Sequence, residues 1–287
     1  MGDDTRDYRM LTTDALLRAA VAGPPADATL TLDPAFQGLP DTAHGGTLLA
    51  LFDTLAGLGG PRQVAGQYHR RVPLGVPLRL SVTPAADGAV GRVRDAAGSV
   101  LVEGRVEAAP APDAAGAALA VGDMPLPVSR ACFACGLDNP IGLRAALAFD
   151  ARTVSAAWTP RGAFVGADGA LAPLALTTLL DETAFWLGAL ATGESGMTTD
   201  LCVTLLAPAP ANGVVHLVGE RAAVRPRADD PRYLDTRIVA TDADGRLLAR
   251  AAITFVTVRG AARRLVSGLL AMNAADVLRR VFPAYTR

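Results

Sequence analysis

Two stretches of the chain share one pattern of apolar and polar positions. Leu48-Leu-Ala-Leu-Phe-Asp53 and Leu176-Thr-Thr-Leu-Leu-Asp181 both read as apolar helix carrying one acidic residue in its middle. Each follows a Gly/Pro-containing loop that opens on Phe36-Gln-Gly38 or on Phe164-Val-Gly166, and 17 residues separate the Phe from the Asp in both. A strand-like run ending in Pro comes next: Tyr68-His-Arg-Arg-Val-Pro73 in the first copy, Leu201-Cys-Val-Thr-Leu-Leu-Ala-Pro208 in the second. Two further strand patterns follow in each copy, over 77–82 and 99–106, then over 214–218 and 247–256. Asp-Gly pairs at 87–88 and 244–245 mark hairpin turns. The pattern therefore predicts an internal repeat, each copy being one helix followed by an antiparallel meander.

Outside the repeats, helical spacing is expected over roughly 10–22 and over 261–282, where Leu265, Leu269, Leu270, Val277 and Val281 recur as one apolar face packed on the sheets. An Ala/Pro/Gly-rich stretch reads as a linker. The expected division is a first repeat with its leading helix over 1–110, the linker over 111–129, a second repeat over 130–258 and a helical tail over 259–287.

Composition narrows the function classes. With 51% apolar and 19% charged residues, 287 residues can bury a large core. The net charge of −1 gives no reason to expect nucleic acid or an anionic membrane as partner. All 27 cations are Arg, which excludes Schiff-base lysines and the Walker lysine. Three Cys do not make a secreted disulfide framework, no signal-peptide pattern opens the chain, and no uninterrupted apolar window reaches about 18 residues, so a cytoplasmic protein is expected.

Candidate chemistry gathers at His44-Gly45-Gly46, directly before the first helix. Small residues there leave backbone N–H groups open where the helix dipole favours negative charge. Asp53, in an otherwise apolar helix, needs a partner or a task. Cys132-x-x-Cys135 is not expected to hold zinc, since Cys202, His69 and His216 offer no second paired spacing, and no cofactor is expected. A redox role lacks the thioredoxin-like context. Gly193-Glu-Ser195-Gly196 is one residue short of a nucleophile elbow.

His-Gly-Gly, six residues and an acidic residue resemble the motif of hotdog-fold acyl-CoA thioesterases of the phenylacetate-degradation type. Cys132-Phe-Ala-Cys135-Gly-Leu-Asp-Asn139-Pro140-Ile-Gly142-Leu143 resembles the segment that opens many of its members. The resemblance covers about residues 25–108 and 130–258 and implies an α+β double hotdog: two helices, each wrapped by an antiparallel sheet, the sheets continuous with one another. Each copy is incomplete, because the opening segment precedes only the second and His-Gly-Gly occurs only in the first.

By the same resemblance, Gly45 is the oxyanion donor and Asp53 and Asp181 are the candidate carboxylates; His44 joins them as a catalytic-site candidate, expected to fix the loop through a side-chain hydrogen bond rather than to act as a base. Gly45 and Asp53 lie about 12 Å apart along one helix axis, so one carbonyl group cannot touch both. A working site must pair Gly45 with Asp181, across the repeats. In the mirror site Pro173 stands where Gly45 does and has no N–H to give, so one competent and one degenerate site are expected. Gly46, Phe36, Thr183, Arg70 and Arg71 are the candidate substrate contacts, the two Arg for coenzyme A phosphates. The implied substrate is an acyl thioester of coenzyme A or of a carrier protein, with further homo-oligomerisation optional. A hydratase, dehydratase or cyclase of the same fold, or an inactive acyl-binding protein, are the rival expectations.

Overall fold

The computed structural model describes residues 8, 11–110, 121–166 and 168–286; most of the expected linker, 111–120, lies outside them. In chain order the first half contains α1 (Thr13–Ala19), β1 (Val21–Ala22), β2 (Ala28–Leu30), α2 (Gly45–Ala56), β3 (Arg62–Tyr68), β4 (Leu78–Ala85), β5 (Gly88–Arg94) and β6 (Val100–Ala108). The second half runs through β7 (Met124–Pro125), β8 (Ala148–Phe149), β9 (Thr153–Trp158), α3 (Pro173–Thr192), β10 (Gly196–Leu205), β11 (Val215–Glu220) and β12 (Arg225–Pro226). It ends with β13 (Tyr233–Thr241), β14 (Leu247–Thr257), α4 (Ala261–Arg264) and α5 (Ala275–Val281).

One 14-stranded sheet, antiparallel at every pairing, carries the fold in the order β1-β2-β4-β5-β6-β3-β10-β14-β13-β11-β9-β8-β7, with β12 beside β13. The order is palindromic about its centre, β2-β4-β5-β6-β3 facing β10-β14-β13-β11-β9. At that centre β3 pairs with β10 from Arg62↔Leu205 to Gln67↔Asp200, so the two halves share backbone hydrogen bonds as well as side-chain packing. The loops before the helices repeat too. His44 N–H donates to Phe36 C=O and Ala172 N–H to Phe164 C=O, Gly38 to Thr42 and Gly166 to Ala170, each pair displaced by 128 residues.

Several expected boundaries shift. The strand after the first helix is Arg62–Tyr68 and ends where the Pro-terminated run begins. Strands β5 and β13, absent from the sequence reading, complete each meander. The leading helix is only Thr13–Ala19, and the expected tail helix is broken into α4, a π turn over Leu265–Leu269 and α5. The tail is tied to the segment before the cysteines: Asn273 Nδ2 donates to Val128 C=O at 2.6 Å, and Val128 N–H to Asn273 Oδ1 at 2.9 Å.

Helices α2 and α3 lie against one face of the sheet, where alternating strand residues turn inward. α3 is long and apolar enough to cross a membrane, but 83% of its apolar window is buried inside the protein, as a core helix requires. In the first half the helix supplies the knob. Phe52 lies over the cross-strand pair Gly91 and Gly104, where an added Cβ would come within 2.3 and 2.2 Å of the ring. In the second half the roles reverse, and Phe255 of β14 fills the hole at Gly188 of α3.

The two helices cross at Gly46. A Cβ there would stand 2.5 Å from the Thr178 Cα, and the Thr177 hydroxyl donates to Gly46 C=O at 2.8 Å. Because the obstructing atoms are backbone, Gly46→Ala must push the helices apart. It should cost about 1–3 kcal/mol of overpacking, measured as a lower urea midpoint; an unchanged midpoint would refute the close crossing.

Candidate functional site

The crossing brings the first turn of α2 against the middle of α3. Asp181, 5% exposed, accepts hydrogen bonds from Gly46 N–H at 3.1 Å (Oδ2) and from the Thr198 hydroxyl at 2.6 Å (Oδ1). His44 Nδ1 stands 3.2 Å from the same Oδ2, and Nε2 lies 3.5 Å from Glu182 Oε2. Burial alone would lower the His44 pKa, but the bonds to Asp181 and Glu182 outweigh it and hold the imidazole well above its ordinary value. An imidazolium has no free lone pair. The Gly46 amide therefore goes to Asp181, not to His44 Nδ1 at 3.3 Å.

Asp181 thus caps α2 from a different helix. A carboxylate at the second amide of a helix satisfies an orphan donor and meets the positive end of the dipole. Gly45, at the first helical position, has no acceptor for its N–H within the helix. Its carbonyl accepts from Tyr68 Oη at 2.6 Å, and burial together with the Asp181 charge pushes the Tyr68 hydroxyl well above its usual pKa, keeping it a donor.

These groups open onto a cleft of about 890 Å³ including its mouth. Its walls are mostly apolar, from Leu39, Phe185 and Trp186, with Leu265 and Leu270 contributed by the tail. Arg70 and Arg71 line it from the exposed turn after β3. The expected site residues therefore divide. His44, Gly45, Asp181, Arg70 and Arg71 share this cleft, with Gly46 just behind them at the helix crossing. Phe36 does not: it is fully buried against the Phe133 ring at 5.2 Å. Thr183 is also buried, its hydroxyl spent on Leu179 C=O at 2.8 Å.

Asp53 is held elsewhere, by Arg62 through Nε at 2.5 Å and Nη2 at 2.8 Å. The start of α3 is Pro173, with no side-chain cap at Ala172. The mirror position therefore has no amide at its first helical residue, and its carboxylate is paired with Arg62.

Several participants escaped the sequence reading. Glu182 sits about 100° around the helix from Asp181, yet it reaches the other face of His44, and its Oε1 accepts from the Trp186 indole N–H at 2.9 Å. Two carboxylates in succession inside an apolar helix were the visible signal. Thr198 gave none. Cys132 and Cys135 are buried free thiols in the cleft wall, and a hydrogen bond from Cys135 holds Cys132 below the ordinary thiol range. The ligand-type atoms of His44, Cys132 and Glu182 lie within 4.8 Å of one another, a group that sequence spacing alone does not show.

No family model matches the chain, and no curated protein matches it in sequence. Solved structures do match in shape. A Thermobifida fusca protein that carries a thioesterase II assignment superimposes with a TM-score of 0.59 at 17% identity, covering 87% of this chain and 99% of that one. The acyl-CoA thioesterase II TesB2 of Mycobacterium marinum gives 0.57 at 13% identity, over 85% and 96% of the two chains. A variant of the GphF dehydratase gives 0.54 at 18%, over 83% and 96%. At such identities the likeness establishes the fold, and the chain is an α+β double hotdog.

An ideal Cβ on Gly45 would stand 2.6 Å from Asp181 Oδ2. In Gly45→Ala the carboxylate must withdraw, and a crystal structure of the variant should show Oδ2 farther from the residue-46 amide; an unmoved carboxylate would disprove this packing.

Proposed function

We propose that the chain hydrolyses an acyl thioester, carried on coenzyme A or on an acyl-carrier protein, at a composite site between its two repeats. The observation that carries this reading is the meeting of Asp181, from the second repeat, with the open first turn of α2, from the first, in one largely apolar cleft. The thioester carbonyl oxygen docks on the Gly45 N–H, where the helix dipole stabilises the oxyanion. Three donors occupy Asp181, which leaves one of its roughly four lone-pair sites for a water. Asp181 takes the proton as that water adds to the carbonyl carbon, and collapse of the oxyanion expels the thiolate. Direct attack by the carboxylate, through an anhydride that water then opens, uses the same two groups.

His44 and Thr198 position the carboxylate. The exposed Arg70 and Arg71 meet the phosphates that coenzyme A and the carrier's pantetheine arm both carry. Structural likeness to proteins named as thioesterases agrees with hydrolysis, and the His44-Gly45-Gly46 and Cys132–Leu143 motifs support the narrower phenylacetate-degradation type. The mirror position, where the start of α3 would meet Asp53, offers no equivalent site in this scheme, since Pro173 has no N–H and Arg62 neutralises Asp53.

Free-thiol release from a panel of acyl-CoAs tests the assignment. Asp181→Asn should lower turnover by about 10²-fold or more. Asp53→Asn should keep most of it while losing about 3–5 kcal/mol of stability, because it strands the Arg62 charge; the opposite ranking would overturn the cross-repeat site. Tight acyl binding without thiol release would favour an acyl-binding protein instead, and a change in substrate unsaturation without thiol release a hydratase or dehydratase.

Replacing Arg70 and Arg71 together by Ala should raise KM for an acyl-CoA by about tenfold with little change in kcat, a loss of uniform binding. The effect should shrink at high ionic strength. An unchanged KM would remove the two Arg from the binding surface.

A further inference from the structure

Three side chains of different chemistry converge behind the proposed reaction site. His44 comes from the N-terminal edge of α2, Glu182 from the middle of α3 and Cys132 from the loop that precedes β8. All three are buried, at 6%, 6% and 4% exposure, and among the described residues theirs is the group whose nitrogen, sulfur and oxygen atoms fall within 4.8 Å of one another. We propose that this group binds a borderline-soft divalent metal ion of the zinc class, through His44 Nε2, Cys132 Sγ and the Glu182 carboxylate, with the fourth position facing the cleft.

The geometry is nearly that of a bound ion. Zinc bonds of about 2.0–2.3 Å hold tetrahedral ligands roughly 3.3–3.8 Å apart. Nε2 and Glu182 Oε2 already stand at 3.5 Å, and the sulfur, within 4.8 Å of the other ligand atoms, needs to close by no more than about 1–1.5 Å. One imidazole, one thiolate and one carboxylate with an open site is a donor set suited to zinc or cobalt and poorly suited to magnesium or calcium, which take oxygen ligands.

Each ligand is also held from behind. The opposite nitrogen of His44, Nδ1, is 3.2 Å from Asp181, the carboxylate–histidine–metal relay that fixes a ligating tautomer. The Trp186 indole N–H holds Glu182 Oε1 at 2.9 Å, and the Ala134 amide points at Cys132 Sγ at 3.3 Å. Binding displaces the Nε2 proton and the Cys132 thiol proton to solvent, and His44 keeps its Nδ1 proton, donated to the Asp181 carboxylate. Cys202, in β10, is outside the group.

Cobalt(II) is the probe, added to the full chain after chelation and dialysis. Wild-type protein should take up about one equivalent, with a thiolate-to-cobalt charge-transfer band in the near ultraviolet and intense tetrahedral bands in the visible, both lost when zinc is added. Cys132→Ser should abolish the charge-transfer band and Cys202→Ser should leave it. Asp181→Asn should weaken cobalt affinity by about 10–100-fold through the relay. Should Cys132→Ser fail to fold, zinc should raise the Tm of wild-type protein and not that of Glu182→Gln. Absence of the bands in wild-type protein, or their persistence in Cys132→Ser, would overturn the proposal. All these readouts are taken without substrate, so they stand or fall separately from thioester hydrolysis.

Discussion

One carboxylate ties the molecule together. Asp181 stands on the second helix and accepts the Gly46 amide in the first turn of the other, so the N-terminus of α2 is capped by a residue 135 positions away in the chain. That interaction is available only because the helices approach closely at Gly46, where no side chain intervenes. The approach is in turn enforced by the sheet beneath, whose two halves are hydrogen-bonded along β3 and β10. Remove the side-chain-free contact and the cap goes with it. The arrangement is costly in isolation, since a buried carboxylate needs full satisfaction. Here an amide, a hydroxyl and an imidazolium supply it.

Much of this was legible in the residues. The equal Phe-to-Asp spacing and the matched loops correspond to real equivalent turns, down to paired backbone hydrogen bonds at a constant offset. The resemblance singled out Gly45 and the two aspartates, helix length chose Asp181 between them, and Asp181 does lie beside Gly45. Elements without a strong pattern were missed. β5 is poor in apolar residues, with Gly91 making room for the Phe52 ring, and β13 buries Leu234, Thr236, Ile238 and Ala240 in alternation, Thr236 breaking the apolar series. The expected strand at 68–75 was misplaced since its Pro, Leu and Val residues serve the loop that leads away from Tyr68. Arg62 meets Asp53 from nine residues on, across the turn from α2 into β3, and the convergence of Cys132 with His44 is a long-range fact of packing that local spacing does not encode.

The segment around the cysteines shows how an apparently local motif acquires a global role. Phe133 sits between Phe36 and Phe164, the two equivalent ring positions of the repeats, at 5.2 and 5.9 Å. Asn139 Nδ2 donates to Ala35 C=O at 2.7 Å and to Ala131 C=O at 2.9 Å, lashing the segment onto the first half. Such aromatic contacts are worth about 0.5–1.5 kcal/mol beyond area burial. The segment is therefore a clasp as well as a wall of the cleft, and the tail, tied to Val128 through Asn273, closes against it.

Carrying both repeats in one chain has a consequence for how such a molecule changes over time. In a symmetric pair of identical subunits every substitution is made twice, and a proline that ruins one site ruins its twin. Joining the two halves in one chain lifts that constraint. Pro173 and the Arg62-paired Asp53 belong to one composite position, Gly45, Asp181 and Thr198 to the other, so in one chain each position is free to change alone.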